Sequence, residues 1–251
     1  KKFFLVNFNL FEIYSLNILS ILSIFLIFSF FKINIFLIFQ IILFLSLLNF
    51  FFIDWKFFFK NFYLFIFFCL FFIVFSTEIS TYPYLEWDAA VNWIFKTLNF
   101  KNNYSFQNLE NVPGYVGYPH LGSYLWAFFW ETSLVNQEYT GRLSFIFIYL
   151  ITFFALIENL KINNISKIIL LIFLITISYD RILLNGYQEP LMFSLCIFFI
   201  ILIEKIDSSK KNFFNYLYLI ICANLILWTK NEGIFFALFL FLDCLLQIQF
   251  Y

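Results

Sequence analysis

Two carboxylates stand two residues apart in the stretch Tyr84-Leu85-Glu86-Trp87-Asp88-Ala89-Ala90. An acid-x-acid pair can hold a divalent cation or take the proton of a reacting hydroxyl. Taken alone, Asp88 reads as a helix N-cap, where the helix dipole favours an anion. Four further polar motifs follow it in the chain: Gly117-Tyr118-Pro119-His120-Leu121, Gly141-Arg142-Leu143, Asn185-Gly186-Tyr187-Gln188-Glu189-Pro190 and Trp228-Thr229-Lys230-Asn231-Glu232-Gly233. Each opens or closes an apolar run and brings a charge, or the single histidine, to its end. A lone charge at a helix end is often a snorkelling anchor. Taken with Glu86 and Asp88, the four motifs form one candidate site.

The elements that must carry these residues are apolar helices. The chain is 63% hydrophobic and 12% charged, against about 45–50% and about 25% in soluble domains. Its mean hydropathy is +0.91. A soluble core cannot hide this much Phe, Ile and Leu, whereas lipid can. A spanning helix needs about 20 mostly apolar residues. That length predicts about eight spans, near 13–31, 33–53, 61–77, 143–160, 165–184, 190–205, 212–229 and 234–251. The expected fold class is an all-α polytopic membrane protein, one transmembrane domain over 1–251 with an outer loop at 77–142. A zero net charge leaves no case for nucleic acid. The cysteines lie singly in apolar runs, without metal-ligand spacing. The chain starts at Lys1 without Met and stops inside an apolar run, which reads as a piece of a longer protein.

Charge orients the spans, because cytoplasmic loops collect Lys and Arg. If 119–135 does not cross, Lys1, Lys2, Lys56, Lys60, Lys161, Lys167, Lys205, Lys210 and Lys211 share one side. If it crosses, Lys205, Lys210 and Lys211 move to the other side and the rule breaks. The stretch 119–135 is therefore expected as a juxtamembrane or re-entrant helix on the outer side. All six glycines and all four prolines fall from Pro83 onward, in segments this map places outside. Irregular backbone at membrane depth is tolerated only beside protein or a water-filled cavity. In 87–100, Trp87, Ala90, Val91, Ile94, Phe95 and Leu98 share one face, while Asp88, Asn92, Lys96 and Asn99 share the other. Such a helix is expected in the interface plane, with Trp87 and Trp93 as interfacial aromatics.

The ordered motifs resemble the C-type (GT-C) membrane glycosyltransferases, in the bacterial branch related to protein mannosyltransferases and the lipid A aminoarabinose transferase. The resemblance covers about 84–240. It rests on Glu86-Trp87-Asp88, Tyr118-Pro119, Arg142-Leu143, the Gly186–Pro190 turn and the Thr229–Gly233 turn. The chain departs from the pattern at His120, where Pro is common, and at Gln188-Glu189, where Ala-Asp is common. The resemblance implies a donor sugar on a polyprenyl phosphate and a lipid, glycan or protein acceptor. It implies inversion at the sugar and a bacterial inner membrane with the site on the periplasmic side. In that reading Asp88 is the base and Glu86 its partner, and Arg142 and Lys230 meet the donor phosphate. Tyr118, His120, Tyr187, Glu189 and Glu232 bind or orient substrate. Some members use a divalent cation (Mg or Mn), for which Asp88 and Glu189 are the expected ligands. The competing reading is a multi-pass transporter or lipid flippase, which predicts charge near the bilayer midplane and an internal repeat. No repeat is visible, and the charges gather at one surface.

Overall fold

A computed structural model describes residues 8–50, 59, 62–114, 117–208 and 213–249. Among these residues the chain is all helical, with no strand. The helices are α1 (Leu10–Ser29), α2 (Ile35–Phe50), α3 (Phe62–Thr81), α4 (Ile94–Lys101), α5 (Leu121–Thr132), α6 (Glu138–Asn159), α7 (Asn164–Ser178), α8 (Glu189–Ser208), α9 (Phe213–Leu227) and α10 (Gly233–Gln249). A π-helical turn (Ala89–Trp93) precedes α4, and 3-10 turns lie at Phe106–Asn111 and Arg181–Leu183.

Three helices, α1, α3 and α6, are long and apolar enough to cross a membrane. Shorter apolar helices occupy Ile35–Leu47, Asn164–Ser178, Phe213–Leu227 and Gly233–Leu242. The protein is therefore a helical bundle compatible with a membrane. Helix α6 is its axis, packed against α1, α3, α5, α7 and α8. Of its most apolar stretch 78% is buried inside the protein, against 22% for α3. The outer helices turn large apolar side chains away from the protein: Ile66, Leu70 and Ile73 on α3, and Ile165, Ile169 and Phe173 on α7. Apolar patches of this kind on a protein surface mark a contact with lipid or protein.

Polar contacts gather at the two ends of the bundle. At one end, Ser29 at the close of α1 meets His120 at 2.6 Å. The Leu121 N–H donates to the Trp228 carbonyl at 3.0 Å, and Lys230 meets Glu189 at 2.5 Å. At the other end Lys205 meets Glu12 at 3.1 Å, and the Phe11 N–H donates to Glu158 at 2.9 Å. These are called the site pole and the far pole below. Helices α1 and α9 end at the site pole, and α6, α8 and α10 begin there.

The stretch 119–135 forms only the 12-residue α5. At 1.5 Å per residue it is about 18 Å long, too short for a hydrocarbon core of about 30 Å. Its first residue bonds to the end of α9, and its Trp126 indole donates to the carbonyl of Glu138 at the start of α6. It lies across the site pole.

Candidate functional site

Asp88 sits in backbone that is already helical (φ −64, ψ −39) and makes no capping bond. The helix-cap reading is thereby replaced. The π-helical turn that follows is closed by the Ile94 N–H donating to the Ala89 carbonyl. Its wider i,i+5 spacing returns the Trp93 indole to Asp88. Trp93 Nε1 donates to Asp88 Oδ2 at 2.9 Å, and Asn92 Nδ2 donates to Oδ1 at 2.6 Å. Each carboxylate oxygen has two lone pairs, so these donors aim the group and leave it able to accept more. Single π turns of this kind recur at functional sites.

The amphipathic helix sits the opposite way round from a solvated interfacial helix on its polar side. Asn92, Lys96 and Asn99 face the protein interior and are buried, while Trp87 and Phe95 are exposed. Lys96 Nζ donates to the Tyr118 carbonyl at 2.7 Å. It lies 5.4 Å from the Trp93 ring centre and 5.9 Å from that of Tyr118, a cation–π arrangement. Burial pulls this ammonium down to about 8, against the opposing pull of the Asp88 charge. Trp93 corrects a second expectation. It is 1% exposed and serves Asp88, not the interface.

Arg142 ties this segment to the rest. Its Nε and Nη2 donate to Glu138 at 2.8 and 2.7 Å. Its Nη1 donates to the Tyr84 carbonyl at 2.9 Å and also to the Leu184 carbonyl. The guanidinium is fully buried, beside the Trp126 ring. The expected phosphate role of Arg142 does not match this placement, because four of its five donors are already engaged inside the protein. It acts as a clamp joining the 84–88 loop to the 184–189 turn. The clamp is reinforced where the Glu86 N–H donates to the Asn185 carbonyl at 3.2 Å. Asn185 Nδ2 lies 3.4 Å from Glu86 Oε1. Gly186, with φ +85, lets this turn approach: an added Cβ would lie 2.8 Å from Trp126 and 3.1 Å from Ala89.

Glu189 and Lys230 complete the group. Glu189 Oε1 pairs with Lys230, while its Oε2 is shut from solvent without a hydrogen-bond partner. Burial alone would lower the Lys230 ammonium. The bond to Glu189 and the charges of Glu189, Glu232 and Asp88 outweigh it and hold the group above its ordinary value. Glu232 is exposed, 4.0 Å from Lys230. The half-buried Tyr187 phenol is raised by desolvation and by the negative charges of Glu86, Asp88 and Glu189, with Lys230 opposing. These four side chains, from three separate segments, therefore bear on one phenol.

His120 corrects another expectation. It is fully buried, ringed by Phe30, Phe100, Phe106 and Trp228 with ring centres 4.7–5.6 Å away. Burial, with the nearby Lys96 charge, drops it to about 3, so it is neutral. The Ser29 hydroxyl donates to the Leu26 carbonyl at 2.7 Å. Nε2 of His120 is then the donor to Ser29, and Nδ1 is left without a partner. His120 has no open path to a substrate. Tyr118 stays at the site's edge, half-buried, with its ring 5.7 Å from Trp93.

Among the described residues no three His, Cys, Asp or Glu side chains gather as metal ligands. Asp88 is held by Asn92 and Trp93, and Glu189 by Lys230. As placed, these residues do not fit a divalent cation.

Of the residues that build the site, Glu138 was not named from sequence, and Trp93, Lys96 and Asn185 were named without a role in it. The i,i+4 spacing of Glu138 and Arg142 was a usable signal. Nothing in the sequence marked a π turn. The chain matches no family model, no curated protein and no solved structure.

Proposed function

We propose that the site pole is the active site of a membrane glycosyltransferase that takes a sugar from a polyprenyl-phosphate donor. In this reading eight helices cross the bilayer (α1–α3 and α6–α10), and the π turn, α4 and α5 lie at the outer, periplasmic surface. One observation carries the reading. Asp88 is oriented by two dedicated donors, and the Glu189–Lys230 ion pair is built at the same pole from two other segments.

The acceptor hydroxyl oxygen attacks the anomeric carbon as the bond to the lipid phosphate breaks. Asp88 takes the hydroxyl proton, general-base work that contributes ~10²–10⁴-fold. Lys230 faces the negative charge that grows on the leaving phosphate, where a preorganised cation counts most. Glu189 holds Lys230 in place, and Tyr187 and Glu86 border the acceptor. With Arg142 engaged as a clamp, Lys230 carries the phosphate contact.

The test feeds labelled polyprenyl-phosphate sugars to membranes carrying the full-length gene product. Transfer that Asp88→Asn abolishes at equal protein level supports the reading. Transfer indifferent to that change moves the base to Glu86 or Glu189. No transfer from any donor by a folded protein turns the case toward a transporter or flippase.

A further inference from the structure

The reaction proposed above leaves Lys96 without a task. Its side chain is 1% exposed, and burying an ammonium is costly unless it is paired and hydrogen-bonded. Of its three N–H donors, one reaches the Tyr118 carbonyl at 2.7 Å. Its other company is aromatic: Nζ lies 5.4 Å from the centre of the Trp93 ring and 5.9 Å from that of Tyr118. An aliphatic side chain would fill this place at less cost. What the ammonium adds is a charge over the ring that serves Asp88.

The Trp93 ring is fixed where it stands. It is 1% exposed and packs against the Tyr118 ring at 5.7 Å. The backbone beneath it is held as well, since its carbonyl accepts from the hydroxyls of Thr97 at 2.8 Å and Ser123 at 3.4 Å. Its Nε1–H points at Asp88 Oδ2, 2.9 Å away. The π turn sets the spacing from 88 to 93, and an ordinary i,i+3 step brings 96 beside 93. A cation over an indole face is attracted to its π density. Drawing on that density makes the N–H at the ring edge a stronger donor, so the bond to the carboxylate tightens. Asp88 receives through the ring a charge that makes no hydrogen bond to it.

We infer that Lys96 is a positioning residue for Asp88: its ammonium, seated over the Trp93 ring, tightens the indole bond that aims the carboxylate, and loss of the ammonium's proton slackens it. The effect on sugar transfer rests on the reading above, whereas the effect on Trp93 does not. The groups that face Lys96 set the pH of the change. Burial pulls the ammonium down to about 8 against the opposing charge of Asp88. His120, which feels the same ammonium, stays neutral throughout this range, and Tyr118 presents its carbonyl and ring. The tight state is therefore present below about pH 8 and lost as pH rises through that value.

The experiment labels the tryptophans of the full chain with an isotope of nitrogen, in detergent micelles. It follows the indole N–H resonance of Trp93, assigned by its absence in Trp93→Phe. From mildly acidic to alkaline pH, that proton is expected to move upfield with a midpoint near pH 8. Lys96→Met should hold it at the alkaline position at every pH, with the thermal transition as a folding check. Lys96→Arg, which stays charged throughout, should hold the low-pH position and remove the midpoint. In membranes, Lys96→Met should lower kcat about tenfold, in line with a desolvated cation–π contact, and leave KM nearly unchanged. It should add little to Trp93→Phe, because both remove one link. A Trp93 resonance indifferent to pH and to Lys96→Met would overturn the inference. So would kcat losses from the two variants that simply add, which mark independent structural effects. A resonance that responds as expected in a protein that transfers no sugar upholds the link and removes the glycosyltransferase reading instead.

Discussion

Both poles of the bundle bury charge, but they treat it differently. At the far pole the carboxylates of Glu12 and Glu158 are joined to the helices around them, although Oε1 of Glu158 is buried without a hydrogen bond. Glu158 at the end of α6 accepts the Phe11 N–H, where α1 has free amides to satisfy. Glu12 is fully buried, accepts the Asn9 N–H at 2.7 Å and pairs with Lys205. Lys205 also donates to Asn159, and Lys167 to the Glu158 carbonyl. At the site pole one cation, Arg142, is joined in the same way. Glu86, Asp88 and Glu189 are only half-buried, and the unpaired oxygen of Glu189 lies beside a cavity. Buried ions locked in pairs hold helices in register, and removing one partner is costly. Oriented but incompletely satisfied carboxylates are what proton transfer requires. The lesson is that charge inside this bundle has two uses, told apart by exposure: the far-pole carboxylates are sealed among helices, whereas those of the site pole stay half open to an approaching group.

Substitutions that separate rate from stability would sharpen or break this contrast. The largest expected effect is that of Asp88→Asn. It should lower transfer by ~10²–10⁴-fold at a stability cost of only about 1–2 kcal/mol, because the amide keeps the shape of the group but can accept at one of its two ends. A loss of stability equal to that of a far-pole variant would break the comparison. Next comes Lys205→Met at the far pole. It strands Glu12 and should cost about 3–5 kcal/mol, read by denaturation in detergent, while transfer per folded molecule stays the same. Arg142→Lys should combine both effects. A lysine cannot reproduce the fork on Glu138 together with the two carbonyls, so about 2–3 kcal/mol of stability and most of the activity should go together, in line with the usual cost of a charged hydrogen bond.

Gly122→Ala tests packing at the site pole. An added Cβ would fall 1.3 Å from Gln188 Oε1, so overpacking should cost about 1–3 kcal/mol. Gln188→Ala in the same chain should restore most of it. The smallest effect concerns pH. His120 titrates near 3 in the fold and near 6.5 when unfolded. The unfolded chain therefore binds more protons between these values, and stability present above about pH 6.5 should decline as pH falls toward 3. His120→Phe should flatten part of that slope in thermal scans between pH 4 and 7, without altering the transfer rate at pH 7.

The buried arginine, histidine and lysine show where reading from sequence stopped. Spacing identified Arg142 and His120 as polar residues next to apolar runs and Lys96 as part of the polar face of an amphipathic helix. Spacing could not say whether they face a substrate, water or the interior. For Lys96 the helical wheel was right about which residues share a face and silent about what that face meets. The tertiary structure turns it inward, because Tyr118, Trp93 and Asp88 satisfy the ammonium there. The Glu12, Glu158 and Lys205 cluster went unseen for a related reason, since its members are far apart in the chain and each looks like an isolated charge in an apolar helix.

The amino-acid sequence by itself determined that the protein is helical and apolar on its outside, because long runs of Phe, Ile and Leu can satisfy their backbone only as helices and their side chains only in lipid or in one another. It also determined which residues could do chemistry, through side-chain type alone. Only the tertiary structure decided which of those groups keep spare hydrogen-bonding capacity. That property depends on what lies across the bundle within about 3 Å of each polar atom, and no local pattern encodes it.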